Sequence, residues 1–81
     1  MKKEVIMPKV GLDMEEGTIV EWYKEVGDEV KAGEPLMSIE TDKAVTDIES
    51  AVNGVLTEIV VDVDEEVEIG TVVAYIEAEE D

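Results

Sequence analysis

The residues best suited to chemistry lie in the segment Glu40-Thr41-Asp42-Lys43-Ala44. Lys43 is the only cationic side chain between residues 32 and 81, in a half of the chain rich in carboxylates. An exposed ion pair adds only about 0–1 kcal/mol to stability, so stability alone gives little reason to place a single lysine here. The isolation of this amine points to a role for the amine itself.

The residue types that are missing limit the chemistry further. The chain has no His, Cys or Arg, which removes the usual proton shuttle, the thiolate nucleophile, soft metal ligands and the bidentate anion clamp. The carboxylates of residues 62–68 superficially resemble a calcium loop, but the required glycine is absent and Val73 stands where a liganding glutamate belongs. We therefore expect neither self-contained catalysis nor a metal site.

Length and charge narrow the class of protein. The chain has 81 residues and 8.9 kDa, enough for one small domain, and its 44% hydrophobic content permits a packed core. The net charge of −17 repels phosphate backbones and anionic lipid surfaces, so we expect no nucleic-acid or membrane partner. The apolar stretch near the N-terminus is too short for a signal peptide, which favours a cytoplasmic location.

An internal repeat organises the chain. Residues 17–40 align with residues 54–77 at a constant offset of 37, and eight of these 24 positions are identical. The shared spacing V-x-x-E-V-x-x-G indicates two copies of one unit, too few for a solenoid. The repeat therefore predicts a closed domain with approximate two-fold symmetry.

Short β-branched segments bounded by Gly, Pro, Asn or Asp predict an all-β fold. The six strand candidates are Glu4–Met7, Thr18–Tyr23, Leu36–Glu40, Ala44–Glu49, Val55–Val61 and Val72–Glu77. Brief pairings around Val30 and Val67 would add two more. A chain of this length must face its sheets together, so we expect a flattened barrel or sandwich filled by Val, Ile and Leu, with Trp22 as its largest side chain.

These elements would position the lysine on a hairpin. The strand candidates on either side of Asp42 and Lys43 leave about two residues between them, which is hairpin spacing. Because the pair lacks the glycine of a primed turn, we expect a type I turn with Lys43 exposed at its tip. Nearby carboxylates, including Glu40, Asp42 and Asp47, should keep the amine protonated and poorly nucleophilic.

Nearly the whole chain resembles the lipoyl domains of dihydrolipoyl acyltransferases from 2-oxo acid and acetoin dehydrogenase complexes. The resemblance rests on three stretches: Met7-Pro8-Lys9 with Met14-Glu15-Glu16-Gly17-Thr18, then Gly27-Asp28-Glu29-Val30, then Ile39-Glu40-Thr41-Asp42-Lys43-Ala44. It implies two four-stranded antiparallel sheets related by quasi-two-fold symmetry. It also implies that Lys43 carries lipoic acid through an amide, at the end of the domain opposite the termini.

The resemblance implies further site residues and partners. One implied set belongs to the hairpin or to its recognition by a ligase: Glu40, Asp42, Ala44, Gly27 and Gly54. The other is a loop that would help a decarboxylase choose its domain: Gly11, Leu12, Asp13, Met14 and Glu15. Met14 could instead fill the core. The implied partners are a lipoate ligase, a thiamin-diphosphate decarboxylase, an acyltransferase core and dihydrolipoyl dehydrogenase, with the isolated domain monomeric.

Three alternatives stay open. A biotinyl carrier domain has a similar fold, but its lysine usually lies in Met-Lys-Met, whereas Asp42 and Ala44 flank Lys43 here. An unmodified acidic domain that binds a basic partner explains the charge but not the lone lysine. The carrier of the glycine-cleavage system has a similar fold but a longer chain. We place the domain at residues 1–77 and expect residues 78–81 to begin a linker or form a frayed tail.

Overall fold

The computed structural model describes residues 1–9, 14–41 and 44–79, and all of its regular elements are strands. These residues form β1 (Lys2–Ile6), β2 (Glu16–Trp22), β3 (Glu29–Val30), β4 (Pro35–Glu40), β5 (Val45–Glu49), β6 (Gly54–Ile59), β7 (Glu66–Glu68) and β8 (Val72–Ala78). The six predicted strands and the two brief pairings are all confirmed, with ends that move by one or two residues. The all-β class is therefore correct.

The strands make two antiparallel sheets of four. One has the order β1-β8-β6-β3 and the other β5-β4-β2-β7. A single hydrophobic cluster takes side chains from both sheets, among them Ile19 and Ile39 from one and Leu56 and Ile76 from the other. The sheets therefore pack face to face, and each fully buried Leu or Ile contributes roughly 1.5–3 kcal/mol.

The two sheets are copies of each other, and each mixes both sequence repeats. The short strand β3 of the first repeat pairs with β6 of the second, and β7 of the second pairs with β2 of the first. The remaining strands correspond as β4 to β8 and β5 to β1. This exchange of strands means that neither repeat can complete a sheet alone.

Backbone hydrogen bonds repeat at the same offset as the sequence. Gly27 N–H donates to the Leu56 carbonyl over 2.7 Å, and Asp64 N–H donates to the Ile19 carbonyl over 2.6 Å. Both turns need a positive φ, which is 99° at Gly27 and 72° at Asp64. Glycine adopts this conformation without penalty and aspartate is among the few other residues that tolerate it. The segment 62–68 is thus equivalent to residues 25–31: a turn whose last residues form the short strand β7.

The core differs from its predicted composition. Met7 and Met37 are fully buried, whereas Trp22 is only half-buried and packs against the edge of the cluster. The Trp22 indole N–H donates to the Val61 carbonyl over 3.0 Å, and this polar end keeps the ring from the centre of the core. The expectation that Trp22 is the largest core side chain is therefore wrong.

Strand β8 runs one residue beyond the predicted domain end at residue 77. Ala78 is buried, and its N–H donates to the Met1 carbonyl over 2.7 Å. Glu79 N–H then donates to the Asn53 carbonyl over 2.8 Å. Backbone hydrogen bonding to the domain thus includes residues 78 and 79, where the sequence suggested the start of a linker or a frayed tail.

Candidate functional site

Strands β4 and β5 form the hairpin that the sequence predicts. Their register ends with Glu40 opposite Val45, and Thr41 N–H then donates to the Ala44 carbonyl over 2.8 Å. The Thr41 hydroxyl donates to the same carbonyl over 3.2 Å. Asp42 and Lys43 follow in the sequence and lie outside the described residues, so the type I turn and the exposure of Lys43 stay predictions.

A buried strand supports this hairpin. Four consecutive residues of β4, Leu36 to Ile39, are buried, and Met37 and Ile39 are fully so. Glu40, Thr41 and Ala44 then leave the core, being exposed, half-buried and exposed in turn. The hairpin therefore extends from a fixed base, and its final residues are accessible to a partner.

The hairpin and the paired termini lie at opposite ends of the molecule. The bond between Ala78 and Met1 is the repeat's counterpart of the bond between Thr41 and Ala44. Met1 lies beside Ala78 just before β1, and Met7 follows β1 at its other end. The Met7 side chain packs against Gly17 near the start of β2, next to the hairpin. We call these the hairpin end and the terminal end.

Two of the five residues in the predicted recognition loop are among the described residues. Gly11, Leu12 and Asp13 lie outside the described residues, whereas Met14 is 9% exposed and belongs to the core. Met14 therefore fills the core, the alternative that the sequence left open, whereas Glu15, the other described residue of this loop, is exposed. The Glu15 carbonyl accepts the Ile69 N–H over 3.0 Å, which fixes the loop's last residue at the hairpin end.

The two predicted glycines have clear structural positions. Gly27 makes the positive-φ turn before β3. Gly54 is buried where β6 pairs with Val30 on one side and Ala78 on the other, at the terminal end. Both positions serve the fold, and their part in ligase recognition stays a prediction.

Sequence reasoning missed the contact between Tyr23 and Asp47. The Tyr23 hydroxyl donates to Asp47 Oδ1 over 2.9 Å. This hydrogen bond is the main reason that the pKa of Tyr23 lies above its usual value, with desolvation as a second cause and a hydrogen bond with Ser38 acting in the opposite direction. The two residues are 24 positions apart and meet because β2 and β5 flank β4, so no local signal could identify the pair. Asp47, expected to act on Lys43, is thus bound to a tyrosine.

The two ends differ in charge although their backbones match. The outer face beside the hairpin carries Val45, Glu40, Thr18, Glu66, Glu16 and Glu68. The equivalent positions at the terminal end, in the same order, are Lys2, Glu77, Val55, Glu29, Asn53 and Lys31. Of these six described positions, four are negative and none is positive beside the hairpin, whereas two are negative and two positive at the other end. The shared fold cannot require this difference.

Residues 1–9, 14–41 and 44–79 offer neither a metal-ligand cluster nor a membrane-spanning helix. No three carboxylates within these ranges converge in a way that could hold a metal ion. No helix in the same part of the chain is long and apolar enough to span a lipid bilayer. The hairpin is therefore the candidate site that the described structure supports.

Comparison with known proteins agrees with this geometry. The Biotin_lipoyl family, described as "Biotin-requiring enzyme", matches residues 3–76. The chain is 47% identical over 73 residues to the dihydrolipoyllysine-residue acetyltransferase component of the pyruvate dehydrogenase complex of Corynebacterium glutamicum, covering 90% of this chain and 11% of that protein. It is 42% identical to the corresponding component of the acetoin cleaving system of Bacillus subtilis, covering 94% of this chain and 19% of that one.

A solved structure shows the same fold. The lipoyl domain of the 2-oxoglutarate dehydrogenase complex from Azotobacter vinelandii superposes with a TM-score of 0.74 at 30% identity, covering 90% of this chain and 92% of that one. The chain thus spans almost the whole of an isolated domain, but only between a tenth and a fifth of the curated relatives named above.

Proposed function

The chain belongs to the Biotin_lipoyl family, and on this premise we propose that it is a lipoyl-bearing carrier domain with lipoic acid amide-linked to Lys43. The observation that carries the proposal is the bond between Thr41 N–H and the Ala44 carbonyl, which closes the β4–β5 hairpin around Asp42-Lys43. The acetyltransferase components described above take their names from a dihydrolipoyllysine residue.

Lipoate suits this chain better than biotin. The residues beside Lys43 are Asp42 and Ala44, not the two methionines usual around a biotinyl lysine. The solved relative is a lipoyl domain, and the curated relatives are dihydrolipoyllysine acyltransferase components. A biotinyl carrier would share the fold and is distinguished by the experiment below.

The chain's own residues would present the group rather than react with substrate. When bound, lipoic acid supplies a dithiolane that accepts an acyl group and electrons, chemistry that no side chain of this sequence provides. Once its carboxyl group is activated by a ligase, lipoic acid forms an amide with a primary amine, and Lys43 offers one. Buried β4 gives the hairpin a fixed base, and Glu40 at the end of that strand is exposed.

The arrangement of the ends supports a tethered carrier. The termini pair at the end opposite the hairpin, so a linker to a larger chain would leave Lys43 facing its partners. Tethering raises the local concentration of a reactive group at each partner site. We propose a lipoate ligase, a thiamin-diphosphate decarboxylase, an acyltransferase core and dihydrolipoyl dehydrogenase as those partners, in a complex that acts on pyruvate or acetoin.

Intact-protein mass spectrometry tests the proposal. The protein is expressed with lipoate, biotin and both ligases, and any adduct is mapped by fragmentation. We expect a lipoyl-sized increment on Lys43 that Lys43→Ala abolishes and that Lys31→Ala, a change at the terminal end, leaves intact. A biotin-sized increment would assign the chain to carboxylases, and a folded protein with no increment would favour the unmodified acidic domain.

A further inference from the structure

Val45 is unusually exposed for a large hydrophobic residue in a strand. Its side chain is 59% exposed, more than any other exposed large hydrophobic in the described ranges except Met1, at 60%. It opens β5 and lies directly opposite exposed Glu40 on the outer face of its sheet. Leaving so much apolar surface in water has a cost that burial against a partner would remove.

The fold does not require an apolar residue at this position. The quasi-symmetric counterpart of Val45 in β1 is Lys2, which lies opposite Glu77 as Val45 lies opposite Glu40. The Lys2 amine lies 4.3 Å from the centre of the Tyr75 ring, so a long cation is well accommodated. Lysine also protects an exposed strand edge from unwanted pairing. The strand structure therefore does not explain why the residue beside the hairpin is a valine.

We propose that Val45 is the apolar contact through which the enzyme that lipoylates Lys43 recognises this domain. The inference rests on the proposed function and adds a specificity residue to it. Val45 lies two positions after Lys43 in the sequence, so their Cα atoms are at most about 7 Å apart. An enzyme that brings the lysine amine into its own active site must therefore cover this valine as well.

The attachment reaction explains why the contact belongs to this enzyme. The carboxyl group of lipoic acid is first activated as a mixed anhydride with a nucleoside monophosphate. Lys43 Nζ then attacks the carbonyl carbon of this anhydride. The C–N bond forms, the C–O bond to the phosphate breaks, the nucleotide leaves with the electron pair, and the amine loses a proton to a base of the enzyme. The amine must reach this activated carbonyl inside the enzyme, which brings the strand beside the lysine against the enzyme's surface.

Val55 provides a matched control. It lies in β6 on the outer face of the other sheet, between Glu29 and Glu77, and is 39% exposed. It is a strand valine among carboxylates like Val45, but at the terminal end. Val→Thr at either site keeps the branched shape and strand preference, and both variants should melt close to wild type because both side chains are exposed.

The experiment measures lipoyl attachment by a lipoate ligase with lipoic acid and ATP, followed by intact mass. We expect Val45→Thr to lower kcat/KM for the domain about five- to ten-fold, mainly through KM, the size expected for a polar group placed in an apolar contact. We expect Val55→Thr to change kcat/KM less than two-fold and Val45→Ile to retain the wild-type kcat/KM.

The outcomes separate this inference from the proposed function. Equal attachment rates for the two threonine variants would overturn the role of Val45 while leaving the carrier function intact. Normal attachment followed by slower reductive acylation of the loaded Val45→Thr domain would assign the contact to the decarboxylase, which also overturns it. Failure of the wild type to be lipoylated on Lys43 would instead refute the carrier function. Val45→Thr could melt well below Val55→Thr. In that case Val45→Lys, which copies the residue at the equivalent position 2, replaces it, and its attachment rate is compared with that of Val55→Thr in the same way.

Discussion

Trp22 donates its indole N–H to the carbonyl oxygen of Val61 over 3.0 Å, joining the end of β2 in one sheet to the turn after β6 in the other. The bond crosses between the two repeats, since Trp22 lies in the first and Val61 in the second. It is thus one of the polar contacts that hold the two copies in register.

Trp22→Phe should lower the free energy of unfolding by about 1–3 kcal/mol. Phenylalanine keeps much of the ring packing but removes the donor, which leaves the Val61 carbonyl without this partner. Urea unfolding followed by circular dichroism measures the change. A stability equal to wild type would show that water replaces the indole at no cost.

The symmetric glycines 17 and 54 should respond very differently to alanine. A Cβ at Gly17 would lie 2.9 Å from Met14 Cε, the movable end of a flexible side chain. A Cβ at Gly54 would clash with the Glu77 carbonyl oxygen and lie 2.8 Å from Ala78 Cα, which are backbone atoms. We expect Gly17→Ala to cost about 1 kcal/mol and Gly54→Ala more than about 3 kcal/mol.

Thermal and urea unfolding of both alanine variants, measured side by side, test this difference. Because the two sites are related by the repeat, each variant is the control for the other. Similar losses of stability at both positions would contradict this explanation, in which a flexible side chain can move away from the new Cβ but backbone atoms cannot.

The Tyr23 hydroxyl should titrate above its usual range because it donates to Asp47. The pKa of Tyr23 is higher in the folded state than in the unfolded state. At a pH between these two pKa values, the folded protein therefore keeps the phenol proton that the unfolded chain loses. The stability from this pair is therefore full below the unfolded pKa and is lost as pH rises through the folded pKa.

Phenolate absorbance measures this titration, with Tyr75→Phe as the background so that Tyr23 is the only tyrosine. We expect Asp47→Ala to move the pKa of Tyr23 back towards its usual value. An identical titration with and without the Asp47 carboxylate would show that the hydrogen bond does not govern this group.

Glu68→Lys should stabilise the fold. Glu68 lies directly across from Glu16, and opposing like charges on neighbouring strands repel. The repeat places Lys31 at the equivalent position, so lysine suits this backbone. We expect a gain of about 0.2–1 kcal/mol at low salt, a smaller gain for Glu68→Gln, and convergence of both towards wild type at high salt. A gain independent of salt would argue against repulsion as its cause.

Local patterns in the sequence determined much of the architecture. The offset of 37 predicted the quasi-two-fold symmetry, and β-branched segments between turn residues predicted the strands, because side-chain alternation and turn chemistry act over a few residues. The hairpin around Asp42-Lys43 followed from the spacing of two such segments, and the structure confirms the pairing of its strands.

Tertiary structure decided the contacts that join distant residues. The exchange of β3 and β7 between sheets, the half-burial of Trp22, the burial of Met7 and Met14 and the bond from Tyr23 to Asp47 all depend on which strands become neighbours. Such pairings are selected by the burial and hydrogen bonding of the whole domain, and no local stretch of sequence encodes them. The sequence alone therefore determined the repeated strands and the isolated lysine, whereas the packing of two nearly identical sheets placed the hairpin opposite the termini and Val45 on an exposed face.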